Sequence, residues 1–104
     1  ELGDYEKLLS TSENAIDIFP NKAVTYYLNG EASHKLGNNN DALGSLNQAL
    51  LMSSKNVVLK FKIYKLQGLI YCEMGKPDKA EKAFKKGGEI NPSEKDKLNC
   101  NDHK

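Results

Sequence analysis

Apolar residues recur along this chain at spacings of three and four, which is the period of an amphipathic helix rather than of a strand. Residues 8–19 are typical, with apolar positions at Leu8, Leu9, Ala15, Ile16 and Phe19. Residues 38–40 are three consecutive Asn and predict a turn, with Asn40 or Asp41 as the N-cap of the helix that follows. The pattern predicts an all-α chain with five helices at about 4–19, 23–36, 41–53, 57–74 and 78–90.

Glycine and proline residues mark where these helices begin and end. Gly37 and Gly75 are predicted to end helices, because Gly accepts the left-handed geometry of a helix C-terminus. Pro77 suits the first turn of the next helix, whereas Pro20 and Pro92 stop the helices before them. The chain is therefore divided into helix pairs with short connections.

One residue pattern occurs three times along the chain. A truncated copy covers residues 3–22, a full copy covers 23–56, and a second full copy covers 57–94. Gly3 and Gly37 are 34 positions apart, whereas Gly37 and Gly75 are 38 apart, so four residues have been inserted near 57–60. Four residues make about one helical turn, and we expect an extra turn at the start of the fourth helix. Residues 95–104 form a polar tail, which we expect to be frayed or to form one short helix over the last unit.

The last copy carries the most specific signature. Its marked positions are Tyr64, Gly68, Tyr71, Gly75, Ala80, Phe84 and Pro92. This order resembles the tetratricopeptide repeat, a helix-turn-helix unit of about 34 residues. The resemblance covers about two and a half repeats over residues 3–94 and implies an α-solenoid, a right-handed superhelical stack of antiparallel helix pairs.

Two glycines inside predicted helices have a packing role in this interpretation. Gly30 and Gly68 each cost about 1 kcal/mol relative to Ala in a helix, which is tolerable if the paired helix approaches closely. Leu46 and Phe84 are then expected to fill the space between the paired helices.

Several sites depart from the repeat pattern, among them Leu8, which stands in place of the small residue of the first copy. Asn29 and Gln67 stand where Leu is expected, and Ser33 stands where the middle copy should have its second aromatic residue. Gly87-Gly88 falls near the end of the last predicted helix. Either the array ends there and its packing is less constrained, or the two glycines form a hinge.

Charge and hydropathy exclude several classes of partner. Fifteen Lys, no Arg and 14 acidic residues give a net charge of +1, which disfavours nucleic acid and anionic membranes. The Lys-rich segment 76–86 is interleaved with acidic residues and predicts a solvated face with local ion pairs. No membrane-spanning run or signal-peptide pattern occurs, and we expect a soluble, by default cytoplasmic, protein.

The sequence carries no catalytic constellation. Its histidines are His34 and His103, and no nucleotide, hydrolase or metalloprotease motif is present, so we expect no enzyme activity and no cofactor. His34 and Cys72 occupy equivalent places in successive repeats, but two ligands are too few for a metal site. Cys72 and Cys100, 28 positions apart, form neither a zinc cluster nor a redox pair and predict a reduced or indifferent thiol context.

The resemblance implies where a partner would bind. In this family the first helix of each unit lines a concave groove that holds an extended peptide or a helix. The groove positions carried onto this chain are Val24, Tyr27, Glu31, His34, Lys35, Lys62, Lys65, Leu69, Cys72 and Glu73. Tyr27 is the expected energetic anchor, and Lys62 and Lys65 are expected to hold acidic groups of the partner.

Two functions follow from these observations. The first is a non-catalytic scaffold that binds a peptide or helix of a partner protein. The second is a structural or self-associating segment, because the truncated first repeat predicts an uncovered apolar stripe at Leu2, Tyr5, Leu9 and Ile16. Upstream residues of a longer protein or a second copy would cover that stripe, and the absence of an initiator Met favours an excised fragment or a processed product.

Overall fold

The computed structural model describes residues 2–103, with the side chains of residues 102 and 103 excepted. The outer limits of the predicted domains, residues 1 and 104, lie outside this range. Five α-helices, α1 to α5, are Leu2–Ile18, Ala23–Lys35, Asn39–Met52, Val57–Glu73 and Pro77–Ile90. A tail of two 3-10 helices follows, Pro92–Lys97 and Cys100–His103. The all-α prediction is confirmed, since residues 2–103 contain no strand, and each predicted helix lies within two residues of its observed bounds.

The chain forms two compact units that divide between Ser54 and Lys55. In the first unit α2 packs against both α1 and α3. In the second unit α4 pairs with α5, and the tail packs on both of these helices.

Tight turns end the first helix of each pair. Gly37 and Gly75 have φ angles of 86° and 72°, the left-handed region predicted for them. After α2, the Asn38 amide donates to the Ser33 carbonyl at 2.8 Å and the Gly37 amide donates to the His34 carbonyl at 3.0 Å. The same pair of bonds follows α4, so both helices end in a Schellman motif.

The predicted starts of α4 and α5 agree with the structure, whereas the predicted start of α3 does not. Pro77 opens α5, as predicted. Helix α4 has 17 residues against 13 in α2 and begins at Val57, so the inserted residues do form an extra turn. The predicted N-cap of α3 at Asn40 or Asp41 is wrong, because the helix begins at Asn39 and Asn38 occupies the cap position.

Each helix pair is held together across a glycine, as predicted. A Cβ atom on Gly30 would lie 2.9 Å from Leu46 Cγ, and one on Gly68 would lie 2.3 Å from Phe84 Cε1. Leu46 is fully buried and Phe84 is 6% exposed. The absence of a side chain at these glycines therefore lets the larger residue of the paired helix pack directly against backbone.

The tail packs on the second unit as two 3-10 helices. The first predicted alternative, a frayed segment, is therefore wrong, whereas the second, a short helix over the last unit, is close to the observed structure. Leu98 is 7% exposed and packs in a cluster with Ala80 and Phe84. Gly87 and Gly88 are buried, and Cβ atoms on them would lie 3.3 Å from Leu98 Cδ1 and 3.4 Å from Lys95 Cγ. The expectation of loose packing at this pair is therefore also wrong: the two glycines make room for the tail, and α5 continues through both to Ile90.

The predicted apolar stripe on α1 is partly covered. Leu2 is 62% exposed, but Tyr5, Leu9 and Ile16 are half-buried. The large apolar side chains that are exposed near the end of this helix are instead Ile18 and Phe19.

Candidate functional site: the predicted binding residues of α2 and α4

The five predicted binding residues of the first unit lie on α2 at helical spacings of three and four. Val24 is 51% exposed and Lys35 is also exposed. Tyr27, Glu31 and His34 are half-buried. This helix therefore presents an aliphatic, an aromatic and several polar side chains that solvent can reach.

Tyr27 on α2 is affected by its burial and by Glu31. Burial raises the pKa of the Tyr27 phenol above its usual value of 10.0, and the nearby Glu31 carboxylate raises this pKa further. The phenol is therefore a neutral hydrogen-bond donor at physiological pH, with an aromatic ring available for packing.

The five predicted binding residues of the second unit lie on α4, but they differ in their surroundings. Lys62 and Glu73 are exposed, and Lys65 is half-buried. Leu69 and Cys72 are partly buried against the cluster formed by α5 and the tail. These two side chains therefore contribute to the interior of the second unit, which sequence spacing alone did not indicate.

A disulfide joins Cys72 on α4 to Cys100 in the tail. The prediction that these residues are unconnected thiols in a reduced or indifferent context is wrong, since disulfides persist in oxidising surroundings. The separation of 28 residues gave no indication of the pairing, because it depends on the tail folding back over α4. The even number of cysteines and the single apolar Leu98 beside Cys100 were the available signals.

The Lys-rich segment of α5 has different partners from those predicted. Lys79 Nζ lies 5.8 Å from the centroid of the Tyr71 ring, and Lys86 Nζ lies 5.9 Å from that of Tyr64. Within residues 76–89 no ion pair forms, so the predicted local pairs are wrong. Two of these lysines lie over aromatic rings of α4 instead, an arrangement worth about 0.5–1 kcal/mol at exposed sites.

Among the described residues there is neither a metal-binding cluster nor a membrane-spanning helix. Residues 2–101 contain no cluster of three His, Cys, Asp or Glu side chains arranged to bind a metal ion. The sulfur of Cys72 is in a disulfide and is not a thiolate ligand. None of the helices described here has the length and apolar character needed to cross a membrane.

Comparison with known proteins identifies one family. A family model described as a tetratricopeptide repeat matches residues 61–94, the last repeat copy counted without its four inserted residues. No similar sequence was found among curated proteins. The copies at 3–22 and 23–56 stay predictions from the internal pattern. Repeats of this family are in general non-catalytic modules for protein–protein interaction. Residues 61–94 are therefore identified as a tetratricopeptide repeat.

Proposed function

We propose that this chain is a binding scaffold that holds an extended peptide or a helix of a partner protein with exposed side chains of α2 and α4. The match of residues 61–94 to a repeat of interaction modules carries the proposal. The solvent-accessible side chains at the predicted positions of α2 support it.

Tyr27 is the proposed anchor of the complex. Its half-buried ring is held in place at low entropic cost, and its neutral phenol can donate a hydrogen bond to the partner. Val24, one turn earlier on α2, adds exposed apolar area beside it. Aromatic residues dominate binding hot spots, so removal of this ring should cost more than removal of a neighbouring charge.

Two lysines of α4 would supply positive charge for binding an acidic group of the partner. Lys62 is exposed and Lys65 is half-buried, and both would attract a carboxylate of the partner. Leu69 and Cys72 would contribute less, because they pack against the interior of their own unit. The proposed partner segment is therefore one with an apolar residue for Tyr27 and an acidic residue for the lysines.

Selection of binders from a random-peptide display library tests the proposal. We expect selected peptides to be enriched in acidic residues and to lose about tenfold or more in affinity to the double variant Tyr27→Ala/Lys65→Ala. The matched control is Phe19→Ala/Lys82→Ala, which removes an exposed aromatic residue and an exposed lysine from other surfaces. Equal binding by the two double variants, with unchanged melting temperatures, would contradict the proposal.

Self-association is the second candidate function. Exposed Leu2, Ile18 and Phe19 in the first unit favour it, with exposed fractions of 62%, 68% and 59%. Sedimentation velocity over a range of concentrations distinguishes the two functions. A dimer that dissociates on Ile18→Ser/Phe19→Ser substitution would support self-association, and a monomer at every concentration would exclude it.

A further inference from the structure

We propose that the tail is a redox-controlled cover of the second unit, which the Cys72–Cys100 disulfide holds closed and which reduction of that disulfide releases. The disulfide joins α4 to the last 3-10 helix, so it ties the tail back onto the helix pair. The role of the cover in partner binding rests on the proposed function, because Leu69 and Cys72 are predicted binding residues. Release of the cover itself can be measured without a partner.

Leu98 is the apolar anchor of the tail. It is 7% exposed, and it is the only buried side chain among residues 92–101. It packs with Phe84 of α5 in the cluster that Phe61 and Leu69 of α4 also contact. The apolar attachment of the tail is therefore concentrated at one residue.

An open hollow of about 650 Å³ lies between α5 and the tail. Its lining includes Phe84 and Gly88 of α5 and Pro92 and Leu98 of the tail. Elements that form a common interior are normally close-packed against each other. The tail is therefore not packed closely against α5 along its whole length.

The tail contributes little to its own stability. Its two 3-10 helices have six and four residues, and the hydrogen bonds of such helices have poorer geometry than those of α-helices. The ion pair between Lys97 and Glu94, at 3.3 Å, lies on the surface, where such pairs contribute little. Ordering the backbone of about ten residues costs more conformational entropy than the burial of one leucine side chain recovers. The disulfide therefore shifts the tail toward the closed position, and Leu98 directs where it docks.

The disulfide is accessible to a dithiol reductant, since Cys72 and Cys100 are both half-buried rather than enclosed. A thiolate of the reductant attacks one protein sulfur, the S–S bond breaks, and the departing cysteine thiolate takes a proton. The second thiol of the reductant then attacks the mixed disulfide, which frees the other cysteine as a thiol and leaves the reductant as a disulfide. The protein gains two electrons and two protons, and an oxidised dithiol reverses the step.

Opening of the tail uncovers an apolar surface beside a proposed lysine. When Leu98 leaves the cluster, Phe61 and Leu69 of α4 become more exposed. Lys65 lies one turn before Leu69 on the same helix. Because Leu98 of the tail packs in this cluster, the uncovered surface fits a partner segment with a leucine in that place and an acidic residue for Lys65.

Hydrogen exchange of the whole chain, with and without dithiothreitol, tests the release of the cover. The Leu98 amide, which donates to the Lys95 carbonyl at 3.2 Å, reports on the tail. The amide of Ile70, a fully buried residue of α4, reports on the helix pair. We expect dithiothreitol to lower the protection of Leu98 by about tenfold or more.

The urea dependence of exchange distinguishes release of the tail from unfolding of the helix pair. In dithiothreitol, exchange at Leu98 should depend little on low urea concentrations, whereas exchange at Ile70 should depend on them steeply, because it requires exposure of much more surface. Equal protection of Leu98 with and without dithiothreitol would overturn the proposal. The same protection and urea dependence at both amides in the reduced chain would also overturn it, because the tail would then open only when the unit unfolds.

Cys72→Ser/Cys100→Ser is the matched control for the reductant. In this variant Leu98 should exchange as fast as in the reduced chain, both with and without dithiothreitol. A Leu98 amide that keeps the protection of the oxidised chain in this variant would show that the disulfide does not hold the tail.

Peptide binding tests what the cover does. The probes are cysteine-free peptides selected from a random library on the reduced chain. We expect them to bind the reduced chain and Cys72→Ser/Cys100→Ser about tenfold or more tightly than the oxidised chain. Leu69→Ala should remove this difference, whereas Val57→Ala, at an exposed apolar residue of the same helix, should keep it.

The outcomes separate this inference from the proposed function. Equal affinity of the oxidised and reduced chains for the selected peptides would overturn the cover and leave the proposed function standing. If neither form binds any peptide, the proposed function fails and the role of the cover in binding fails with it. A redox difference that Val57→Ala removes as fully as Leu69→Ala does would place the effect outside the surface beneath the tail and overturn the proposal.

Discussion

The ring of Phe84 on α5 lies directly against the backbone of Gly68 on α4, where a Cβ atom would be 2.3 Å from Phe84 Cε1. Real Cβ atoms do not approach other heavy atoms so closely, so the two helices of this repeat depend on a position without a side chain. The same arrangement joins Gly30 to Leu46 in the first unit, where a Cβ atom on Gly30 would lie 2.9 Å from Leu46 Cγ.

Substitution of Gly68 with Ala should therefore destabilise the chain, although Ala is the better helix former. We expect the free energy of unfolding to fall by about 2–3 kcal/mol, because the buried ring must move. Gly44→Ala is the matched control, since Gly44 lies inside α3 with nothing within 4 Å of an added Cβ; it should raise stability by about 1 kcal/mol. Urea denaturation measures both, and a stabilised Gly68→Ala variant would contradict the observed packing.

The disulfide between Cys72 and Cys100 should contribute substantially to stability. It closes a loop of 28 residues, and the chain-entropy estimate for such a loop is about 3.5 kcal/mol. Reductant should lower the urea midpoint of the native chain accordingly. Cys72→Ser/Cys100→Ser is the control: it should start from the lower midpoint and not respond to reductant. Unchanged midpoints throughout would show that the two cysteines are not bonded in solution.

Leu98 should hold the tail to the second unit independently of the disulfide. It is 7% exposed beside Phe84, so Leu98→Ala should cost about 2–4 kcal/mol and leave a cavity. Leu51→Ala makes the same chemical change at a side chain that is 80% exposed, and it should alter stability by less than about 0.5 kcal/mol. Thermal unfolding compares the pair. Similar melting temperatures for the two variants would mean that the tail does not pack as described.

Tyr27 should make stability depend on pH at the alkaline end. Its folded-state pKa is raised, first by burial and then by Glu31, above the unfolded value of about 10. Its stabilising contribution is therefore complete below about pH 10 and is lost as the pH rises through the higher folded value. We expect Tyr27→Phe to flatten this loss in urea titrations between about pH 9 and pH 11. An identical loss in the native chain and the variant would assign the alkaline transition to other groups.

Ser54 should favour replacement by Gly. Its φ angle is 51°, in the left-handed region where a residue with a Cβ costs roughly 1 kcal/mol. Ser54→Gly should therefore raise the free energy of unfolding by about 0.5–1 kcal/mol. Ser10→Gly, within the regular helix α1, should lower it by a similar amount. Calorimetry distinguishes the two, and a destabilised Ser54→Gly variant would show that the Ser54 side chain has a role in the turn.

Local sequence predicted the helices well, because the determinants of helix ends act within a few residues. Gly37, Gly75 and Pro77 mark ends and starts through backbone geometry that needs no distant partner. The predicted cap of α3 was wrong, since any residue of the Asn38–Asp41 segment has suitable chemistry. The pairing of Gly68 with Phe84 also followed from the sequence, because a helix-turn-helix of fixed length brings those positions together.

The candidate sites were predicted less completely. The α2 residues could be chosen from repeat spacing, but the partial burial of Leu69 and Cys72 depends on the tail. Asn29 and Ser33 were noted in the sequence only as departures from the repeat pattern. The hydrogen bonds of Asn29 to Ser12 and Ser45 depend on the packing of three helices.

The sequence by itself determined that this chain is all-α, that it is built from helix pairs, and that its last repeat belongs to a family of interaction modules. These properties depend on contacts between residues that are near in sequence or fixed by the repeat. Only the tertiary structure decided the course of the tail, the Cys72–Cys100 disulfide and the role of Gly87 and Gly88. Each of these depends on a few apolar contacts between the polar-looking tail and α4 and α5, and no periodic pattern records such contacts.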